Sequence, residues 1–291
     1  MRKPLQNVGA SVRARLLSLS KQRNEPFELL LTQYALERLL YRLSISEYKE
    51  KFVLKGAILL RHWLDDPHRP TRDLDLLGFG DSDPQLTLGF FKEIGSIVAD
   101  DGVNIDTDSL VVDTVRDDSG YSGLRLKCYA TIDGARIRIV IDIGYGDATE
   151  PGLDEIELLP LLDQPAPKLR AYSPETVVAE KFQAMVHLGL ANSRLKDFYD
   201  IWVLARTCDF KDDRLARAIN ATFGRRKTAI PTDRPDALTA AFANDPTKAQ
   251  QWTAFIQDVA MDPGSLADVI EALSAFLMSH ARKAVKIMNA T

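Results

Sequence analysis

The stretch "LRLKCYATIDGARIRIVIDIG", residues 124–144, constrains the fold more than any other part of the chain. Two runs of alternating apolar and polar residues flank Asp133-Gly134. Alternation with period two marks a strand with one buried face, and Asp-Gly between two such runs is the strongest short hairpin signal. A two-residue turn also sets the register, because a slip of one residue would turn every side chain to the other face. With Ile132 opposite Ala135, Arg125 falls opposite Asp142, Lys127 opposite Val140, and Tyr129 opposite Arg138. Ile137, Ile139, Ile141 and Ile143 then share the core face. Asp142 lies on the other face with Arg125, Lys127, Arg136 and Arg138.

A second stretch, "KGAILLRHWLDDPHRPTRDLDLLGFG", places Asp73 and Asp75 one residue apart in an apolar run. Strands disfavour Asp, and residues i and i+2 of a strand point to one face. The two carboxylates therefore converge while Leu74 and Leu76 face the core. Hard cations such as Mg²⁺ or Mn²⁺ are held by a few carboxylate oxygens plus substrate phosphates. If this strand lies beside the second hairpin strand, Asp142 joins the pair and a cation relieves the repulsion. Each feature also has a plain reading. The Asp pair is then solvated, and Asp142 is a cross-strand partner of Arg125 worth roughly 0.2–1 kcal/mol.

Upstream, Lys55-Gly56 ends a short apolar strand at 52–55 and opens a helix at 57–64. Glycine lets backbone approach a phosphate closely, and a helix start favours anions; alone, the pair is also an ordinary strand-to-helix turn. Arg69 and Thr71, on the approach to Asp73, are placed either to contact phosphate or to sit in a solvated loop.

Residues 10–48 carry apolar positions at helical spacing, with a break near 24–27. "DDPHRP" interrupts the chain, since proline cannot continue a helix, and a strand at 72–77 and a helix at 83–98 follow. Four of the 14 prolines fall in 151–168, which reads as a connection. Ser173-Pro174-Glu175 then starts a helix with a cap, a proline and an acid in the first turn. "RLKDFYDIWVLAR", 237–242, 246–259 and 265–288 continue the helical pattern. The expected fold is α+β: an α/β half in 1–165, then an all-helical half in 166–291.

Four blocks in order carry a resemblance: "KGAILL…RPTRDLDLLG", "RIVIDIGYGD", "SPETVVAEKFQAMV" and "RLKDFYDIWVLAR". Together they resemble the AbiEii-type nucleotidyltransferases, which implies a polymerase β-like nucleotidyltransferase core in 1–165, with a small, mixed, strongly twisted sheet, and a helical domain in 166–291 that completes the cleft. These are the toxins of AbiE abortive-infection systems, and the family includes the mycobacterial MenT toxins. The resemblance implies that Asp73 and Asp75 hold divalent metal and that Asp142 is a third carboxylate helping to activate the attacking hydroxyl. It implies that Lys55 and Gly56 meet the nucleotide phosphates. Lys181 matches a Lys-x-x-Ala motif that binds triphosphate, and Asp197 and Asp200 match a late acidic motif near the site. Ala57 stands where the wider fold has Gly or Ser, so a hydroxyl contact to phosphate is lost. Without the family, Lys181, Asp197 and Asp200 read as an ion bridge between two packed helices, as a wall of the carboxylate site, or as both.

The resemblance further implies a nucleotidyltransferase of the EC 2.7.7 type, moving NMP from an NTP to a hydroxyl such as a tRNA 3′ end, with a cognate antitoxin as partner. Two readings stand beside it: an inactive nucleotide-binding or regulatory protein of the same fold, and a metal-dependent nuclease. The net charge of −4 requires any RNA to be held by a local patch. Besides the hairpin cations, Gly224–Lys227 and residues 282–286 are basic clusters that serve as solvated surface or as backbone contacts. No apolar run is long enough for a membrane, and Cys128 and Cys208 lack metal or redox spacing. A cytoplasmic protein with reduced thiols is expected.

Overall fold

The computed structural model describes residues 7–64, 71–116, 122–210 and 213–290. Two helices open it, α1 (Val8–Arg23) and α2 (Phe27–Ile45). The Asn7 side chain caps α1 by accepting from the Ala10 amide, and Asn24 ends it in the left-handed conformation at φ 52°. Strand β1 (Phe52–Lys55) runs through Gly56 into α3 (Ala57–Trp63), and β2 (Asp73–Gly78) follows. Next come α4 (Pro84–Ser96), β3 (Asn104–Arg116), β4 (Ser122–Ile132) and β5 (Ala135–Tyr145). The chain continues through β6 (Leu153–Glu157) and β7 (Lys168–Tyr172) before the helices take over. These are α5 (Pro174–Leu188), α6 (Leu195–Thr207), α7 (Arg214–Arg225), α8 (Ala240–Ala243), α9 (Pro246–Phe255) and α10 (Leu266–Ala290).

The strands form one seven-stranded mixed sheet in the order β3-β4-β5-β2-β1-β7-β6. Asp133 and Gly134 both have positive φ, 45° and 78°, as a tight two-residue hairpin turn requires. The β4–β5 ladder runs in the register expected from that turn, from Ile132 opposite Ala135 to Arg125 opposite Asp142. Ile137, Ile139, Ile141 and Ile143 are buried, and α2 packs against β5. β2 lies parallel to β5 and antiparallel to β1, so it sits between the two. The Ser173 hydroxyl caps α5, and this helix packs on α6 and α7.

Several expectations need correction. The sheet is larger than expected, because β3 and β6 were not legible as strands. β3 carries Asp106, Asp108 and Asp113 and shifts register between Asp106 and Val111; β6 contains three acids in five residues. Both lie at the sheet edges, where charge and bulges discourage pairing with other chains and also erase the alternating pattern. Residues 151–168 are therefore not a mere connection. The expected division at 165/166 falls between β6 and β7, and β7 pairs with β1. α7 was not anticipated, although Leu215, Ala216, Ala218, Ile219, Thr222 and Phe223 make a buried helical stripe. The expected helix at 237–242 is a tight turn, Asp236–Leu238, followed by the short α8. The break at 65–70, with Arg69, lies outside the described residues. Among the described residues, no helix is long and apolar enough to cross a membrane.

One buried ion pair ties α2 to the segment before β3. Arg42 Nη1 donates to Asp101 Oδ2 at 2.6 Å, while its other nitrogens donate to the carbonyls of Ile97 and Val103 at 3.0 Å. Both side chains are almost fully buried. Removing one partner leaves a buried charge unanswered. Arg42→Met is expected to lower stability by about 3–5 kcal/mol, measured by urea unfolding; a loss below about 1 kcal/mol would show that the pair is dispensable.

Candidate active site

A transverse row of charged side chains crosses the sheet. Lys55 registers with Asp75, Asp75 with Asp142, Asp142 with Arg125, and Arg125 with Asp113. Residues paired across a ladder share a face, so Asp75 and Asp142 stand side by side, opposite the buried Leu and Ile side chains. Asp73 lies two residues before Asp75, beside Val140, and is exposed. Arg125 holds both oxygens of Asp142, with Nε to Oδ1 at 2.7 Å and Nη2 to Oδ2 at 2.8 Å. Among the described residues, the Asp73 and Asp75 side chains make no hydrogen bond or ion pair. Burial pushes the Asp75 carboxyl above its ordinary value; Lys55 opposes the shift, and the Asp142 charge adds to it.

Gly56 is required at its position twice over. Its φ is +78°, which side chains rarely adopt, and a Cβ there would lie 2.0 Å from Asp75 Oδ2. The turn thus clears the space that the Asp75 carboxylate occupies.

Beyond Lys55 lies a cluster that sequence reasoning missed. Lys55 Nζ is 3.0 Å from Asp147 Oδ2 and 3.9 Å from Glu180 Oε2. Arg226 Nη2 reaches Asp147 Oδ1 at 3.1 Å and Glu180 Oε1 at 3.4 Å, and the Tyr172 hydroxyl donates to Glu180 at 3.1 Å. Burial disfavours the Lys55 charge, but Glu180 and Asp147 outweigh it and raise its pKa. Burial also opposes ionisation of Asp147, yet Lys55 and Arg226 hold it at about 2. Glu180 goes the other way, pushed up by burial and by the adjacent Asp147. Arg226, read from sequence as part of an exposed basic cluster, is 9% exposed. The only sequence signal for these residues was proximity: Asp147 closely follows Asp142, and Glu180 precedes Lys181.

Lys181 bridges two helices. Its Nζ is 2.5 Å from Asp197 Oδ1 and 2.8 Å from Asp200 Oδ2, and both acids are buried. The ion-bridge reading therefore holds. Lys181 also acts on the site, since its charge and that of Lys196 oppose the burial-driven rise of the Asp75 pKa. Thr71 and Ala57 stand apart from this arrangement. They border a cavity of about 450 Å³ beside α3, lined also by Gln33, Leu36, Arg61 and Leu158, which includes none of the carboxylates of the row. The Thr71 hydroxyl donates to the Asp73 carbonyl at 3.4 Å. α3 has only seven residues, so phosphate attraction at its start rests mainly on Lys55.

The donor chemistry suits a hard divalent cation, since Asp73 and a partly buried Asp75 offer carboxylate oxygens that make no hydrogen bond or ion pair among the described residues. Among the described residues no three acidic, His or Cys side chains are arranged to hold an ion together. Arg125 occupies both oxygens of Asp142, so Asp142 would join only on releasing it.

The profile of a family described as nucleotidyl transferase AbiEii toxin, type IV toxin–antitoxin system, matches residues 38–277. A search of curated proteins finds no match. Among solved structures, a candidate nucleotidyltransferase from H. pylori is 17% identical, with 89% of this chain and 96% of that chain covered and a TM-score of 0.51. JHP933 from Helicobacter pylori is 16% identical, with 90% and 95% covered and a TM-score of 0.48. At this identity, the first of the two likenesses speaks for the fold alone.

Asp147 gives the cluster a pH signature. Its carboxyl ionises near 2 against an ordinary 3.8. Its ion pairs therefore stabilise the fold fully above about pH 4, and the contribution is lost as pH falls toward about 2. Asp147→Asn is expected to lower stability at neutral pH by about 2 kcal/mol, the difference shrinking through that acid window in urea titrations. A difference that does not vary with pH would assign the loss to packing.

Proposed function

The chain belongs to the AbiEii family of nucleotidyltransferase toxins, and from that premise we propose that the charged row is its nucleotidyl-transfer site, dependent on Mg²⁺ or Mn²⁺. Membership of a toxin–antitoxin family also implies a nucleotide donor and a cognate antitoxin. The observation that carries the reading is the in-register pair Asp75–Asp142, with Asp73 beside it and Lys55 against it. Asp73 and Asp75 would hold the cations, and Asp142 would join them once Arg125 lets go. Bound divalent cations would neutralise charge on the attacking and leaving oxygens of an in-line displacement.

The remaining work falls to the chain's own groups, as positioning and charge stabilisation. Lys55 and Lys181 face the triphosphate, with Gly56 letting it approach. The acceptor hydroxyl oxygen forms a bond to the α-phosphorus as the α–β anhydride bond breaks, and pyrophosphate leaves. Asp142 takes the hydroxyl proton. The acceptor is a tRNA 3′ end, whose modification blocks translation in the cytoplasm and makes the antitoxin necessary. The nucleotide lies between the row on the sheet and α5, which carries Lys181 and packs on β7 and α6. A second reading, nucleotide binding without turnover, draws on the Arg125–Asp142 bridge and on Ala57.

Incubation of the protein with total RNA, Mg²⁺ and each α-labelled NTP separates these readings. Asp73→Ala is expected to abolish label transfer while melting near wild type, because its side chain is exposed; retained transfer refutes the assignment. Lys181→Ala is expected to weaken nucleotide binding and also to lower the melting temperature, since Asp197 and Asp200 lose their shared cation. Unchanged nucleotide affinity would assign Lys181 to structure alone.

A further inference from the structure

The two flanks of the carboxylates differ in kind. On one side Lys55, Lys181 and Arg226 are largely buried among α5, α6 and the end of α7. That room suits a compact triphosphate. On the other side β4 and β5 present Arg125, Lys127, Arg136 and Arg138 on the face that bears Asp142, in a chain whose net charge is −4.

These cations are not equivalent. Arg125 is held by Asp142, and Lys127 Nζ by Asp113 Oδ2 at 2.6 Å. Arg138 is exposed and, among the described residues, makes no ion pair or hydrogen bond. Arg136 is also exposed, and its guanidinium carbon lies over the Tyr129 ring, 3.6 Å from its centre, so the two form a cation–π pair. Arg138 is four residues before Asp142 on the same strand and face, roughly 13 Å away at strand spacing. Arg136 is roughly 20 Å away. Between them and Asp142 lies Val140, which registers with Asp73. The strip thus leads straight to the carboxylates.

We infer that the RNA acceptor is carried to the carboxylates along the open face of β4 and β5, with phosphates at Arg138 and a base stacked on the Tyr129–Arg136 pair. This rests on the RNA-acceptor reading above and adds a direction: nucleotide from the helical side, acceptor from the hairpin side. Exposed cations interleaved with an aromatic ring fit a single-stranded end, which binds by stacking and backbone charge. The acids on β3 border the strip: Asp113 pairs with Lys127, Asp106 Oδ1 accepts from the Ser109 amide, and exposed Asp108 lies at the outer edge, where the ladder shifts register. A protein partner fits less well. Val111 on β3 is the one large apolar side chain notably exposed on this face among the described residues, and protein interfaces centre on apolar anchors.

The test is fluorescence anisotropy of the full-length protein with a fluorescein-labelled tRNA transcript, without divalent metal, across a salt series. The Arg136→Ala, Arg138→Ala double variant is expected to bind about tenfold more weakly and to flatten the salt slope by about 1–2. Tyr129→Leu is expected to weaken binding with the slope unchanged. Nucleotide binding stays at wild type in both, and the KM for tRNA rises with kcat held. The Arg282→Ala, Lys286→Ala variant removes two exposed cations from α10 and is expected to bind normally. Wild-type affinity in the hairpin variant overturns the inference and leaves the face to a protein partner. Equal losses in both double variants overturn it as a bulk-charge effect. If the wild-type protein labels a different acceptor and does not bind tRNA, the RNA reading itself fails, and a wild-type protein that binds and labels tRNA separates that failure from the others.

Discussion

Two like charges held shoulder to shoulder organise this molecule. Asp75 and Asp142 are paired across a parallel ladder, so their backbones are about 4.8 Å apart and their side chains must share a face. Like charges placed so are destabilising. The sheet answers each with a cation one strand further out, Lys55 beside Asp75 and Arg125 beside Asp142. That symmetry depends on β2 lying between β1 and β5. The apolar face beneath, with Leu74, Leu76, Ile141 and Ile143 buried, holds the strands together against the repulsion above. Local destabilisation of this kind is expected where a site is shaped for a ligand rather than for the fold.

The two answering cations lead to different surroundings. Lys55 is embedded in a charge network with Asp147, Glu180, Arg226 and Tyr172 that joins the sheet to α5 and the end of α7. Buried polar groups that satisfy one another rigidify their neighbourhood, so this side is rigid, as the proposed triphosphate site requires. Arg125 sits on an open face, partly exposed, where a longer ligand can compete for it. Lys181 adds a second link between the helices and the row. It holds Asp197 and Asp200 by contact and Asp75 by field.

How much of this was legible depended on how local the cause was. The hairpin register was readable because Asp133-Gly134 determines it within two residues. The helix at Ser173-Pro174-Glu175 was readable because capping is a short-range hydrogen bond. The edge strands β3 and β6 were not, since their acids and the β3 bulge serve to repel other chains rather than to pack. α7 was hidden by the eye-catching basic residues at its end, although its buried stripe was present. Arg226 was misjudged for the same reason: a charge looks exposed until a fold supplies its partners.

By itself, the sequence determined that Asp73 and Asp75 share a face, that Asp142 shares one with Arg125, and that Lys55 meets a glycine turn. Those are consequences of strand periodicity and turn geometry, which act over a few residues. Only the tertiary structure decided that Asp142 stands next to Asp75, that Gly56 makes room for the Asp75 carboxylate, and that Lys55 is clamped by Asp147 and Glu180. Strand order and helix docking bring together residues far apart in the chain. They are set by how all the apolar faces are buried at once, which no short window of sequence contains.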